Sequence, residues 1–388
     1  MAGGKKGGTI KVQKEQKKSS WQQWIAVVFF MLIGAICGVL IVFYIDSNMT
    51  EDKTPFEEIF TMLMLLFIMY FGILVQIIIH EAGHLVFGLA TGYHFGSFRI
   101  MSFMWLKENG RITLKHFSLA GTGGQCLMVP PDMVDGKIPV VLYNLGGSIM
   151  NIIASVLFLC LYFMIGKINF LAIALLMFSV IGFILGIMNG VPMRLGAIDN
   201  DGYNALSLKK DDKALRSFWV QMKVQEQNAK GIRLKDMPEE WFYMPSAEEM
   251  GNSMIAAIAV FACNRLMDMQ NFEEANKMIQ KLLEMESGIA GIYRNLLICD
   301  RIYCELLAGN KETAEKLFTK EQQKFMKSMK KFPSVLRTEY AFALLCRSDY
   351  SRSEEIKAMF EKCARTYPYP CEVDAERELI CIAKGSVV

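Results

Sequence analysis

Histidine is scarce in this chain, with four among 388 residues, so a motif that uses two of them draws on a very small supply. The ten cysteines include no C-x-x-C spacing. Those from Cys263 to Cys381 fall in a segment of helical pattern, which excludes a small disulfide-stapled fold and reads as reduced, cytosolic thiols. Excess charge is also lacking: the formal net charge is +3, and basic residues are interleaved with acidic ones along most of the length. That balance excludes a nucleic-acid stripe, and no nucleic-acid partner is expected. A small-x-small cleavage pattern is missing after the first apolar run, so that run is an uncleaved span rather than a signal peptide.

What the chain has in abundance is apolar sequence, at 53%, more than a soluble enzyme of two domains needs. Residues 1–20 form a basic arm, read as disordered, with Lys5, Lys6, Lys11, Lys14, Lys17 and Lys18 against Glu15. Four stretches follow that reach the roughly 20 residues a membrane helix requires: residues 21–45, 59–90, 138–165 and 168–188. The arm is basic, whereas Asp46, Glu51, Asp52, Glu57 and Glu58 crowd the first connection beside a single Lys53. The positive-inside rule therefore puts the N-terminus in the cytosol. Counting spans then makes the 93–137 loop and the C-terminal half cytosolic, in the plasma membrane of a bacterium.

Within that loop, residues 97–107 and 111–117 are rich in strand formers and flank Asn109-Gly110, a strong hairpin signal. A glycine-rich turn at Gly121, Gly123 and Gly124 with Pro130 and Pro131 leads back to the membrane. Residues 203–250 read as a helical linker, and residues 251–388 as a helical domain. There, helix–turn–helix patterns recur around Asn271, Gly309-Asn310 and Asp349-Tyr350, with Ala314 matching Ala275. Their period of about 40 residues resembles degenerate tetratricopeptide repeats, whose usual period is about 34. The expected fold is thus mainly α: a four-span membrane bundle (21–202) with a cytosolic β-hairpin, followed by a soluble helical-hairpin array.

The chemistry sits in His80-Glu81-Ala82-Gly83-His84. This is H-E-x-x-H, whose histidines one turn apart on a helix reach a single ion, with zinc the natural occupant. Glu81 then stands beside the open coordination position, where it takes a proton from a water acidified by the metal. An ionisable cluster inside an apolar span is costly unless it is functional. His94 and His116 have no motif partner and read as surface or packing residues.

Downstream of the fourth span lie Asn189-Gly190-Val191-Pro192 and Asp199-Asn200-Asp201-Gly202. Together with H-E-x-x-H, these segments resemble the site-2 protease family of intramembrane metalloproteases across roughly residues 59–203. The family pairs H-E-x-x-H with an N-x-x-P segment and an Asp-Gly whose aspartate is the third zinc ligand. The resemblance implies one zinc ion per chain held by His80, His84 and Asp201, and Glu81 as general base. Asp201 is preferred because Gly202 follows it; Asp199 is the alternative, since Asp201 lies nine residues after Pro192, further than in the compact family pattern. Asn189 and Asn151, the latter in a G-x-x-x-N pattern after Gly147, are candidates for holding substrate or the oxyanion. Either could equally serve a helix end or helix packing. The hairpin resembles the family's membrane-associated hairpin, which would take an unwound substrate as an added strand.

The function implied is hydrolysis of transmembrane segments or leader peptides, with the repeats recruiting a substrate or regulatory protein. Two alternatives stay open: another membrane zincin class with Glu108 as third ligand, acting on soluble or prenylated peptides, and an inactive scaffold that binds partners through its repeats.

Overall fold

The computed structural model describes residues 6–48, 54–108, 110–117, 123–194 and 199–386. The first five residues of the basic arm, Glu51, Asp52 and Lys53 of the first connection, Asn109 of the turn, and Gly121 lie outside the described residues. The chain divides into two compact units. One comprises Met1–His94, Gly121–Cys126 and Ile138–Lys210, and the other Phe95–Ala120, Leu127–Lys137 and Asp211–Val388.

The first unit is built on four helices long and apolar enough to cross a membrane: α1 (Lys6–Ser47), α2 (Pro55–Ala90), α3 (Val141–Ile165) and α4 (Phe170–Gly190). α1 starts at Lys6, so residues 6–20 are helical where an arm was expected. Lys, Gln and Glu are good helix formers, and a helix nucleated in the adjoining span propagates into them at little cost. α2 has a defined start: the Thr54 hydroxyl accepts from Glu57 N, the Glu57 carboxylate accepts from Thr54 N, and Pro55 opens the first turn. Ile33, Cys37 and Ile41 of α1, Leu65 and Met69 of α2, and Ile173, Met177 and Ile181 of α4 form the apolar core of the bundle.

α3 runs against α2 with backbones almost touching. A Cβ on Gly83 would come within 2.3 Å of the Gly146 carbonyl oxygen, and one on Gly146 within 2.7 Å of the Gly83 oxygen. Small residues permit such a crossing where side chains would hold the helices apart. It sets the face of α2 that carries the histidines directly against α3. α5 (Asp201–Lys210) follows α4 and packs on both α3 and α4.

The strands go beyond the expected hairpin. β1 (His94–Ile100), β2 (Phe103–Glu108), β3 (Arg111–His116) and β4 (Gly124–Val129) form one sheet in the order β3-β2-β1-β4. β2 and β3 pair antiparallel, from Phe103 opposite His116 to Glu108 opposite Arg111, as the sequence suggests. The stretch expected as one strand, 97–107, is broken by a two-residue turn at Met101-Ser102, with Ile100 opposite Phe103. Met101 takes φ 55° without being glycine or asparagine, and the buried Arg99 guanidinium, donating to the Met101 carbonyl at 2.8 Å, holds it there. The expected glycine-rich turn becomes β4 from Gly124 onward.

Most of this sheet groups with the helices that follow rather than with the four long apolar helices. Phe117 lies edge-on to Phe332 and Tyr367. Trp219 Nε1 of α6 (Asp212–Ala229) donates to the Pro131 carbonyl.

The array itself comprises α7 (Ser253–Asp268), α8 (Phe272–Glu284), α9 (Gly291–Leu307), α10 (Lys311–Leu317), α11 (Lys320–Ser328), α12 (Pro333–Ala341, continued by a π-turn to Cys346), α13 (Tyr350–Ala364) and α14 (Pro370–Gly385). Three of its turns share one device. Gln270, Gly309 and Ser348 each take positive φ, and each is followed by Asn271, Asn310 or Asp349. The carbonyl of that residue receives the amide of a buried small residue one turn on: Ala275, Ala314 or Ser353. α11, absent from the sequence expectation, is an extra helix after the second pair.

Candidate metal centre

His80, Glu81 and His84 occupy the C-terminal part of α2, and Asp201 is the first residue of α5. The fold brings three of them to one point. His80 Nε2 lies 3.2 Å from His84 Nε2, and Asp201 Oδ2 lies 3.0 Å from the first and 3.5 Å from the second. The site is sheltered: the two imidazoles are 13% and 10% exposed and the carboxylate 24%. Gly147 makes room for it, since a Cβ there would fall within 2.5–2.7 Å of His80 ring atoms.

The partners of the remaining ring nitrogens decide what the converging atoms offer. His84 Nδ1 is 2.8 Å from the Tyr143 carbonyl oxygen. A carbonyl can only accept, so Nδ1 carries the proton and a neutral His84 presents a bare Nε2. His80 Nδ1 faces Asn151 Oδ1 at 2.7 Å. The orientation of that amide follows from the groups behind it. Asn151 Nδ2 donates to the Gln76 carbonyl and to Gln76 Oε1, at 2.9 and 2.7 Å. Gln76 is turned that way because its own Nε2 donates to the Phe178 carbonyl at 2.9 Å. Hence His80 also carries its proton on Nδ1.

Two imidazole lone pairs and a carboxylate oxygen, all acceptors, thus point at one another across about one tetrahedral edge of a metal site. Without a cation between them the arrangement is repulsive; with one it is a ligand set, and these three residues could hold a metal ion. Glu81, 8% exposed, adjoins the site. The backbone of Gly124 lies so close to it that a Cβ there would be 2.7 Å from Glu81 Oε1.

No protein-family model, curated protein or solved structure matches this chain.

The other sequence candidates fall into place differently. Asp199 is not in the cluster; its carboxylate is 3.6 Å from Arg194 Nε. Asn189 Nδ2 donates to the Leu185 carbonyl at 3.1 Å, one turn back on its own helix, which is the helix-end use rather than the substrate-facing one. Asn151 is fully buried and engaged with His80 and Gln76, so its amide supports a ligand instead of facing substrate. His94 and His116 lie exposed on β1 and β3. Gln76 and the Tyr143 carbonyl were missed. For Gln76 a signal existed, a polar side chain one turn before His80 in an apolar span; for a main-chain carbonyl there was none.

Removing the support to His80 should weaken the site without dismantling it. Asn151→Ala is expected to lower divalent-metal affinity about 10–100-fold, measured by zinc competition against a chelator. Unchanged affinity would show that the Nδ1 hydrogen bond has no hold on the ring.

Proposed function

We propose that this protein is an intramembrane zinc metalloprotease that hydrolyses peptide bonds of transmembrane segments or leader peptides. The observation that carries the proposal is the set of ligand separations. Four ligands at zinc's usual distance of about 2.0–2.1 Å in a tetrahedron stand about 3.3 Å apart. The three pairs here measure 3.2, 3.0 and 3.5 Å. Two nitrogens and one carboxylate oxygen leave the fourth position for water or substrate, the hallmark of a catalytic rather than a structural zinc site. The resemblance of H-E-x-x-H, N-x-x-P and Asp-Gly to the site-2 protease pattern points the same way. The histidines sit in a helix able to cross a membrane, so the peptide bond is met at bilayer depth.

His80, His84 and Asp201 would hold the ion, with Asn151 and the Tyr143 carbonyl fixing the imidazoles. A bound zinc ion supplies Lewis acidity, polarising the scissile carbonyl and lowering the pKa of water. Glu81 takes the proton from the attacking water as its oxygen bonds to the carbonyl carbon. The same carboxyl then delivers that proton to the amide nitrogen as the C–N bond breaks. The positive-inside count places both termini and the helical array in the cytosol, where the array would recruit or gate a membrane protein or peptide substrate.

A zincin with Glu108 as third ligand is the competing chemistry. Glu108 is already committed within the hairpin, 3.1 Å from Lys115 Nζ and accepting from Thr113 Oγ1 at 2.8 Å. Elemental analysis of protein purified in detergent separates the two. Wild type should carry one zinc per chain, Asp201→Ala should lose it, and Glu108→Ala should keep it. Zinc retained in the first variant and lost in the second would overturn the ligand assignment.

A further inference from the structure

The stretch between α4 and Asp201 is longer than the compact Pro-to-Asp-Gly pattern, yet Asp201 reaches the histidines. The residue before it explains how. Asn200, 5% exposed, uses every hydrogen-bonding capacity of its side chain. Its Nδ2 donates to the Met188 and Val191 carbonyls at 2.8 and 2.6 Å. Its Oδ1 accepts from Met193 N and Tyr203 N, both at 2.9 Å.

These partners belong to two different helix ends. Tyr203 is the third residue of α5, so Oδ1 acts as an N-cap to one of the donors that a helix start leaves unpaired. Met188 lies in the last turn of α4, whose final carbonyls lack intrahelical partners. Nδ2 therefore closes the end of one helix while Oδ1 opens the next. The main chain adds to this: Asn200 N donates to the Met193 carbonyl at 3.2 Å. Arg194 and Asp199 form an isolated antiparallel bridge, with the Arg194 guanidinium 4.7 Å over the Tyr203 ring. Arg194 and Asp199 are thus tied to each other. On the other side of Asp201, Gly202 rests on α4's last residue, where a Cβ would come within 2.2 Å of the Gly190 carbonyl oxygen. Both neighbours of Asp201 are fastened to the C-terminal end of α4.

We propose that Asn200 is a positioning residue of the metal centre: by stapling the end of α4 to the start of α5 it sets the distance of the Asp201 carboxylate from His80 and His84. This rests on the reading of His80, His84 and Asp201 as metal ligands. It accounts for why the third ligand is Asp201 while Asp199, two residues away, is spent on Arg194. Asn and Asp are comparable N-caps, so a residue that merely capped α5 would tolerate Asn200→Asp. A staple would not, because the substitution sets a carboxylate oxygen against the Met188 and Val191 carbonyls.

The test is zinc affinity of the full chain in detergent, by competition with a chelator, for wild type, Asn200→Ala, Asn200→Asp, Asp201→Ala and Asn200→Ala/Asp201→Ala. Asn200→Ala and Asn200→Asp should each weaken zinc binding about 10–100-fold, the second despite an added negative charge that by itself would tighten it. Asp201→Ala loses zinc on purification but keeps both imidazoles, so a weaker affinity is still measurable under excess zinc, and in that background Asn200→Ala should cause no further loss, since its effect runs through the missing carboxylate. Affinity within twofold of wild type for Asn200→Asp would reduce Asn200 to a cap and overturn the proposal. An equal loss with and without Asp201 would also overturn it, as that is the pattern of general destabilisation. Absence of zinc binding in wild type would instead overturn the metal reading itself, and this inference with it.

Discussion

Glu81→Gln is expected to keep one zinc per chain and to lose peptide-bond hydrolysis by about 10²–10⁴-fold, equivalent to about 3–5 kcal/mol of barrier. The substitution exchanges a carboxylate oxygen for an amide nitrogen of nearly equal size. The packing of Gly124 against this side chain is therefore retained, while the ability to accept a proton is removed. His80, His84 and Asp201 are untouched, so metal content serves as the control that the site is still assembled. Wild type and variant would be co-expressed with a panel of single-span helices, and the products and co-purifying peptides compared by mass spectrometry. Cleaved fragments should accompany wild type, and intact helices should be enriched on the variant. Undiminished turnover in the zinc-loaded variant would remove Glu81 from the chemistry and leave the proposed mechanism without its base. Loss of zinc together with activity would assign Glu81 to the ligand set instead.

The parts of this site that the sequence revealed are those encoded by short spacing. Two histidines one turn apart must share a helix face, and α2 carries them so. Four apolar runs gave helices at nearly the expected positions, since the roughly 20-residue length of a span is a strong constraint. Asp201 was reachable only through its Asp-Gly context, because nothing in the intervening stretch dictates where a distant carboxylate will point. The supporting shell was illegible. The Asn151 amide meets His80 across 71 residues of chain, and its orientation depends on Gln76 and on a carbonyl of α4, contacts set by helix crossing rather than by local pattern. Asn200 sat in plain view within Asn-Asp-Gly, but that tripeptide ordinarily signals a turn, and its four bonds depend on two helix ends meeting. The Met101-Ser102 turn was hidden for the opposite reason. Met101, which takes the positive φ, is not a turn former, and its conformation is held by the Arg99 guanidinium, which no single-residue propensity encodes.

The helical array offers the largest expected change in stability, at Arg337. Its side chain is fully buried and joins three helices: Nη2 reaches Asp300 Oδ1 of α9 at 2.5 Å, and Nε reaches Glu376 Oε2 of α14 at 2.8 Å. Nη1 donates to Thr338, and the guanidinium lies 4.6 Å over the Tyr303 ring. Arg337→Met fills much of the same volume but strands Asp300, whose charged form burial already disfavours, and leaves Glu376 without its Arg337 partner. Breaking a buried pair in this way costs about 3–5 kcal/mol. Amide hydrogen exchange of the full chain in detergent should show protection in α9, α12 and α14 falling by about two to four orders of magnitude. The loss should also depend on pH. Burial pushes Asp300 up to about 6 even with Arg337 opposing it. An acid whose folded pKa exceeds its unfolded one binds more protons when folded, so its contribution to stability falls as pH rises between the two values. Removing Arg337 raises the folded value further and extends that window upward, so the gap between variant and wild type should widen from pH 5.5 to 7.5. Adding Asp300→Asn to Arg337→Met should recover part of the loss and flatten the pH dependence. A gap that is constant across this range, or no recovery, would mean that Arg337 stabilises the array through packing on Tyr303 rather than by neutralising the carboxylates.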